Sequence, residues 1–79
     1  MINQIIKKEG GYYIIKDIIR NAKTQYYLCF SDNYITTSIY HYDIVFLTLE
    51  KQLEIYNMFF KKYILLPDHL KNIPTEDKL

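Results

Sequence analysis

Residues 48–66 constrain the fold more than any other stretch of the 79-residue chain. Leu49, Leu53, Tyr56, Phe60 and Tyr63 recur at steps of four, three, four and three. At about 100° per residue this spacing sets them along one stripe of a helix. Thr48 suits the N-cap, because its hydroxyl can accept from a free N–H of the first turn. Lys at position 51 leaves the capping box incomplete. Glu50 and Glu54 near the start, with Lys61 and Lys62 near the end, match the helix dipole at both poles. Pro67 is the expected stop.

A helix with one apolar stripe needs a surface to cover, and residues 2–47 are read as that surface. Tyr, Ile and Thr dominate from residue 12 to 40 and favour strands. Gly10-Gly11 between two apolar runs is a hairpin signal, since both glycines tolerate positive φ. Residues 1–8 and 12–20 also carry helical spacings (Ile14, Ile15, Ile18, Ile19), and in runs this short periodicity does not separate the two states. The β-favouring composition tips both toward strand. Residues 24–31 alternate, with Tyr26, Leu28 and Phe30 on one side and Gln25, Tyr27, Cys29 and Ser31 on the other. Asp32-Asn33 reads as a turn, residues 34–40 as a further strand, and His41-Tyr42-Asp43 as a bend. After Pro67, Asp68 can start one more helical turn.

The expected architecture is α+β: an antiparallel meander of three or four strands, then one long C-terminal helix packed on one sheet face. Residues 1–72 form a single domain and 73–79 a polar, frayed tail. Cys29 is the lone cysteine, so no disulfide can form within the chain, and a reducing, cytoplasmic setting is expected. The N-terminal charges follow the short apolar run rather than precede it, unlike a signal peptide. No run is long enough to cross a bilayer, so no membrane partner is expected.

Chemistry finds little foothold. The chain has no P-loop, GxGxxG, HExxH or paired CxxC. His41 and Asp43, with His69 as a third ligand, match no recognised metal spacing, and a polar bend is the simpler reading. Cys29 lies among Tyr, Leu and Phe, where a cysteine acts as a small buried hydrophobe. No enzyme activity, metal or cofactor is expected.

Two surfaces are candidates for binding. On the helix, Met58 falls opposite the stripe, with Leu65 near it, Ile55 at its flank, and Lys51 and Lys62 around them. Apolar residues inside a charged rim describe a protein-docking patch, although scattered exposed apolar residues are also ordinary. An exposed, tyrosine-lined sheet edge would serve the same role. On the sheet, Tyr12, Lys16 and Arg20 share a face if residues 12–20 are a strand, and Lys23 and Tyr27 can join them. Cations interleaved with aromatics can contact phosphates and stack bases. This arrangement is similar, in architecture alone, to the three-strand-plus-helix DNA-binding domains of some integrases and plant transcription factors. A net charge of +1 argues against strong nonspecific nucleic-acid binding.

Phe, Tyr, Met, Ile, Asn and Lys supply 42 of the 79 residues, the signature of an AT-rich genome. Part of the tyrosine content is therefore a codon effect. The leading expectation is a non-catalytic protein-binding module from a phage or other mobile element. It would act in the host cytoplasm as an inhibitor or modulator of a host protein, such as a defence system or a nucleic-acid enzyme. The alternatives are a nucleic-acid-binding domain and a structural protein that self-associates, for instance as a homodimer.

Overall fold

The computed structural model describes residues 2–21 and 23–71. Five strands, β1 (Ile5–Lys8), β2 (Gly11–Arg20), β3 (Gln25–Ser31), β4 (Thr36–Tyr40) and β5 (Val45–Phe46), form one sheet in the order β4-β3-β2-β1-β5. Every neighbouring pair is antiparallel. The α+β class is as expected, but there are five strands rather than three or four. The added one is the short β5, which returns to pair with β1. The frayed-tail assignment, 73–79, falls outside the described residues.

The Ile-Ile pairs that made the first 20 residues ambiguous have a structural cause. Ile5 and Ile14 are buried on one side of the sheet with Ile55, Tyr56, Phe60 and Leu70. Their neighbours Ile6 and Ile15 are buried on the other side with Tyr27, Cys29 and Ile39. Strands buried on both faces lose the apolar–polar alternation that marks a half-exposed strand.

Among the described residues no helix covers the second core; the sheet covers it by curling. Five flat strands at about 4.8 Å spacing would hold their outer edges roughly 19 Å apart. Only residues 41–44 join β4 on one edge to β5 on the other, and His41–Asp43 form a 3-10 turn. A 3-10 turn advances only about 2 Å per residue, so this link is too short for a flat sheet. The edges therefore approach each other. His41, just past β4, lies 6.5 Å from the ring of Phe46 on β5. Ile44 and Tyr13 close over the cluster.

The helix is shorter than expected. The α-helix α1 (Leu49–Ile55) runs into a π turn at Tyr56–Phe60, where the Lys61 N–H donates to the Tyr56 carbonyl at 2.8 Å. Thr48 does cap it, accepting from the Lys51 N–H at 3.2 Å. Pro67 is not the stop. After Phe60 the chain leaves the helix so that Ile64, Leu66 and Leu70 return to the first core. The Tyr56 hydroxyl donates to the Ile64 carbonyl at 2.8 Å and fastens that return.

The buried stripe is also displaced. Gln52, Ile55, Tyr56 and Phe60 face the sheet, whereas Leu49 and Tyr63 are exposed. The displacement follows from Gln52, the one polar side chain buried in the described core. Its Oε1 accepts from the Ile5 N–H at 3.1 Å and from His69 Nε2 at 2.9 Å, and its Nε2 donates to the Leu47 carbonyl at 3.1 Å. Partial desolvation against this network lowers the His69 pKa. A hydropathy pattern places glutamine outside, and here three hydrogen bonds bring it in.

The β1–β2 hairpin occurs at Glu9-Gly10, with Lys8 opposite Gly11, but the left-handed residue is Glu9 (φ 48°), not either glycine. A side chain in that region costs about 1–2 kcal/mol, which glycine avoids. Glu9→Gly should therefore stabilise the fold by about 0.5–1 kcal/mol after its greater unfolded-state entropy is counted. The check is a rise in the urea midpoint at an unchanged slope.

Candidate docking surface

The five residues proposed for phosphate and base contact do not assemble on one face. A bulge in β2 intervenes: Ile15 pairs with Cys29 and Asp17 with Leu28, which leaves Lys16 as the extra residue. Each residue beyond a bulge changes sides relative to even counting. Tyr12 lies on the helix side, stacked on Phe59 at 6.0 Å. Lys16 donates to Asn3 Oδ1 at 3.0 Å. Arg20 pairs with Gln25 and sits on the Tyr27 side, and Tyr27 itself is buried. Lys23 is exposed next to β3. Even spacing along the sequence does not register the bulge, which exists only in the pairing with β3.

Arg20 and Tyr27 instead join a directed chain of hydrogen bonds. Arg20 Nε donates to Gln25 Oε1 at 3.1 Å, and Gln25 Nε2 donates to the Tyr27 hydroxyl at 2.9 Å. The Tyr27 hydroxyl lies 2.8 Å from His41 Nδ1. An arginine can only donate, so it fixes the Gln25 amide, and the Tyr27 O–H is left to donate to His41. This chain pins the end of β4 to β3.

The helix patch is also divided. Ile55 is 1% exposed and belongs to the core, so it cannot anchor a partner. The reason is the displaced stripe set by Gln52. Met58 is 59% exposed, as expected for the outer face. Leu65 is 91% exposed but lies beyond the helix, in the segment leading to Pro67. Lys51 reaches Glu54 at 3.5 Å, and Lys62 lies over the Tyr63 ring at 5.1 Å. The patch reduces to separate residues on two segments.

The tyrosine-lined sheet edge is the surface that does assemble. Tyr26 on β3 faces Tyr40 on β4, with ring centroids 6.2 Å apart in an edge-on arrangement. Tyr40 in turn stacks on Tyr42 at 5.5 Å and 7° between planes. Tyr40 is 48% and Tyr42 75% exposed, a large apolar area left in water. Tyr26, Ser38 and Tyr40 line a cleft of about 400 Å³. Residues 36–40, Thr-Thr-Ser-Ile-Tyr, carry no charge. The sequence holds a signal for this site, a tyrosine at the same end of each of two pairing strands, but the register needed to match Tyr26 with Tyr40 is not in the periodicity.

A second, larger cleft of about 640 Å³ lies between Lys16, Leu66, Asp68 and His69. Its Lys71 is tied to Asp68 at 3.0 Å and its Lys16 to Asn3. No three His, Cys, Asp or Glu side chains gather into a metal site among the described residues. His41 sits in a 3-10 turn, at the bend expected there, and is hydrogen-bonded to Tyr27. Burial pushes the Cys29 thiol up to about 11, so it stays protonated near neutral pH and is a poor nucleophile. No helix among the described residues is long and apolar enough to cross a membrane. Comparison with family models, with curated proteins and with solved structures finds no match.

Proposed function

We propose that the chain is a small, non-catalytic protein-binding module that docks on a larger partner through the tyrosine-lined end of its sheet. In this reading it inhibits or modulates a host protein, such as a defence system or a nucleic-acid enzyme, from within the host cytoplasm. A short, motif-free, AT-biased chain with a single cysteine has the style of a phage or mobile-element product. The observation that carries the reading is the exposed stack of Tyr40 and Tyr42 beside the Tyr26–Ser38 cleft. Tyrosines offer large contact area at low conformational cost and keep a hydroxyl for a polar partner, which is why they recur in interface centres. An uncharged β4 suits a protein surface better than a phosphate backbone, whose binding draws on free cations. Lys16 and Arg20 are both engaged in hydrogen bonds within the chain.

The test compares two single variants in partner capture from host lysate, with nuclease present. Tyr42→Asp should cut the retained partner by about thirtyfold, the loss of one interface hot spot of roughly 2 kcal/mol. Met58→Glu should leave capture within about twofold, as expected for a residue outside the interface. The reverse pattern would move the docking surface to the helix. Capture that disappears with nuclease would replace the reading with nucleic-acid binding.

A further inference from the structure

Natural sheets protect their outer strands with lysine, proline, bulges or shortness, because a bare edge offers unpaired N–H and C=O groups to another chain. One edge of this sheet follows the rule: β5 has two residues and gives way at once to the capped helix. The other edge follows none of it. β4 has five residues, no charge and no proline, and its register with β3 is regular from Thr36 to Tyr40. Four of its five residues, two Thr, Ile and Tyr, are strand formers.

We propose that β4 pairs antiparallel with β4 of a second copy of this chain, about a two-fold axis through Ser38. Centring on Ser38 engages all five residues of each strand. Ser38 then faces Ser38, Thr37 faces Ile39, and Thr36 faces Tyr40 of the other copy. No like charges meet, and β-branched or aromatic partners oppose each other at four of the five positions, which favours cross-strand packing. Thr37 and Ile39 stay on the side of the buried Cys29 and Tyr27, and Thr36, Ser38 and Tyr40 stay on the side of Tyr26. The two five-stranded sheets then join through their β4 edges about a two-fold axis.

The pairing also completes the cleft. Ser38 lines it from the edge strand, so Ser38 and Thr36 of the second copy supply the wall that one chain lacks. Two clefts then form one tyrosine-bearing surface. The pairing stands on the bare strand edge and holds whatever the cleft binds.

Five strand residues a side bury less than a standard interface, so association is concentration-dependent. Sedimentation velocity on the purified chain, from about 5 µM to about 1 mM, should show the mean mass rising toward twice that of the monomer. Ser38→Lys puts two ammonium groups across the axis at an exposed position. It should stay monomeric through the series with an unchanged far-UV spectrum. Amide exchange supplies the location: β4 amides should slow with concentration in the wild type and not in the variant. A wild type that stays monomeric at every concentration would overturn the proposal. So would a Ser38→Lys dimer as tight as the wild type, concentration-dependent protection elsewhere, or β4 protection that arises only with a foreign partner.

Discussion

Gln52→Leu should lower stability by about 3 kcal/mol, although it replaces a polar core residue with an apolar one of similar length. Two effects combine. The Ile5 N–H loses its acceptor inside the sheet–helix interface, and an unsatisfied buried donor costs about 1–3 kcal/mol. The Leu47 carbonyl and His69 Nε2 lose a partner at the two ends of the same network, where the cost is smaller because solvent is near. In a domain this size, each kcal/mol moves the melting point by about 4–8 °C, so the expected fall is roughly 12–24 °C. Calorimetry and urea titration check it. An unchanged melting point would mean that Gln52 is merely tolerated in the core and does not set the helix orientation.

Ile55→Glu should leave the chain largely unfolded, whereas Met58→Glu should fold normally. The two positions lie within one turn of each other, but Ile55 packs with Ile5, Ile14 and Phe60, and Met58 points to water. A carboxylate at position 55 forfeits about 2 kcal/mol of apolar burial and adds several more for a charge without a partner. The sum rivals the whole stability of a small domain. At position 58 the change falls within about 0.5 kcal/mol, as for other surface substitutions. Far-UV and near-UV spectra of the two variants decide it. Two folded variants, or two unfolded ones, would contradict the observed rotation of α1.

That rotation depends on contacts between residues far apart in the sequence. The helix, its Thr48 cap, the alternation of residues 25–31 and the bend at residue 41 are legible, because each rests on local periodicity or turn chemistry. The β1–β2 hairpin is legible in place but not in conformation, since Glu9 and neither glycine takes the positive φ. Tyr56 and Phe60 were correctly placed in the stripe. Gln52 and Ile55 were not, because a buried glutamine is justified by tertiary partners, Ile5 and His69, that lie 47 and 17 residues away. The bulge at Lys16 is a long-range fact of the same kind, since it exists only in the pairing with β3. The strand count failed because β5 has two residues, below what periodicity resolves. Of the candidate site, the tyrosine-lined edge was foreseen as a type of surface, but its members depended on register.

The most direct test of docking through that edge is site-specific photo-cross-linking in host lysate, with p-benzoylphenylalanine placed at Tyr42 in one protein and at Met58 in another. Docking through the edge predicts one discrete, nuclease-resistant adduct with a larger protein from position 42 and none from position 58. An adduct from position 58 alone would contradict it, as would a position-42 probe that captures only a second copy of the chain.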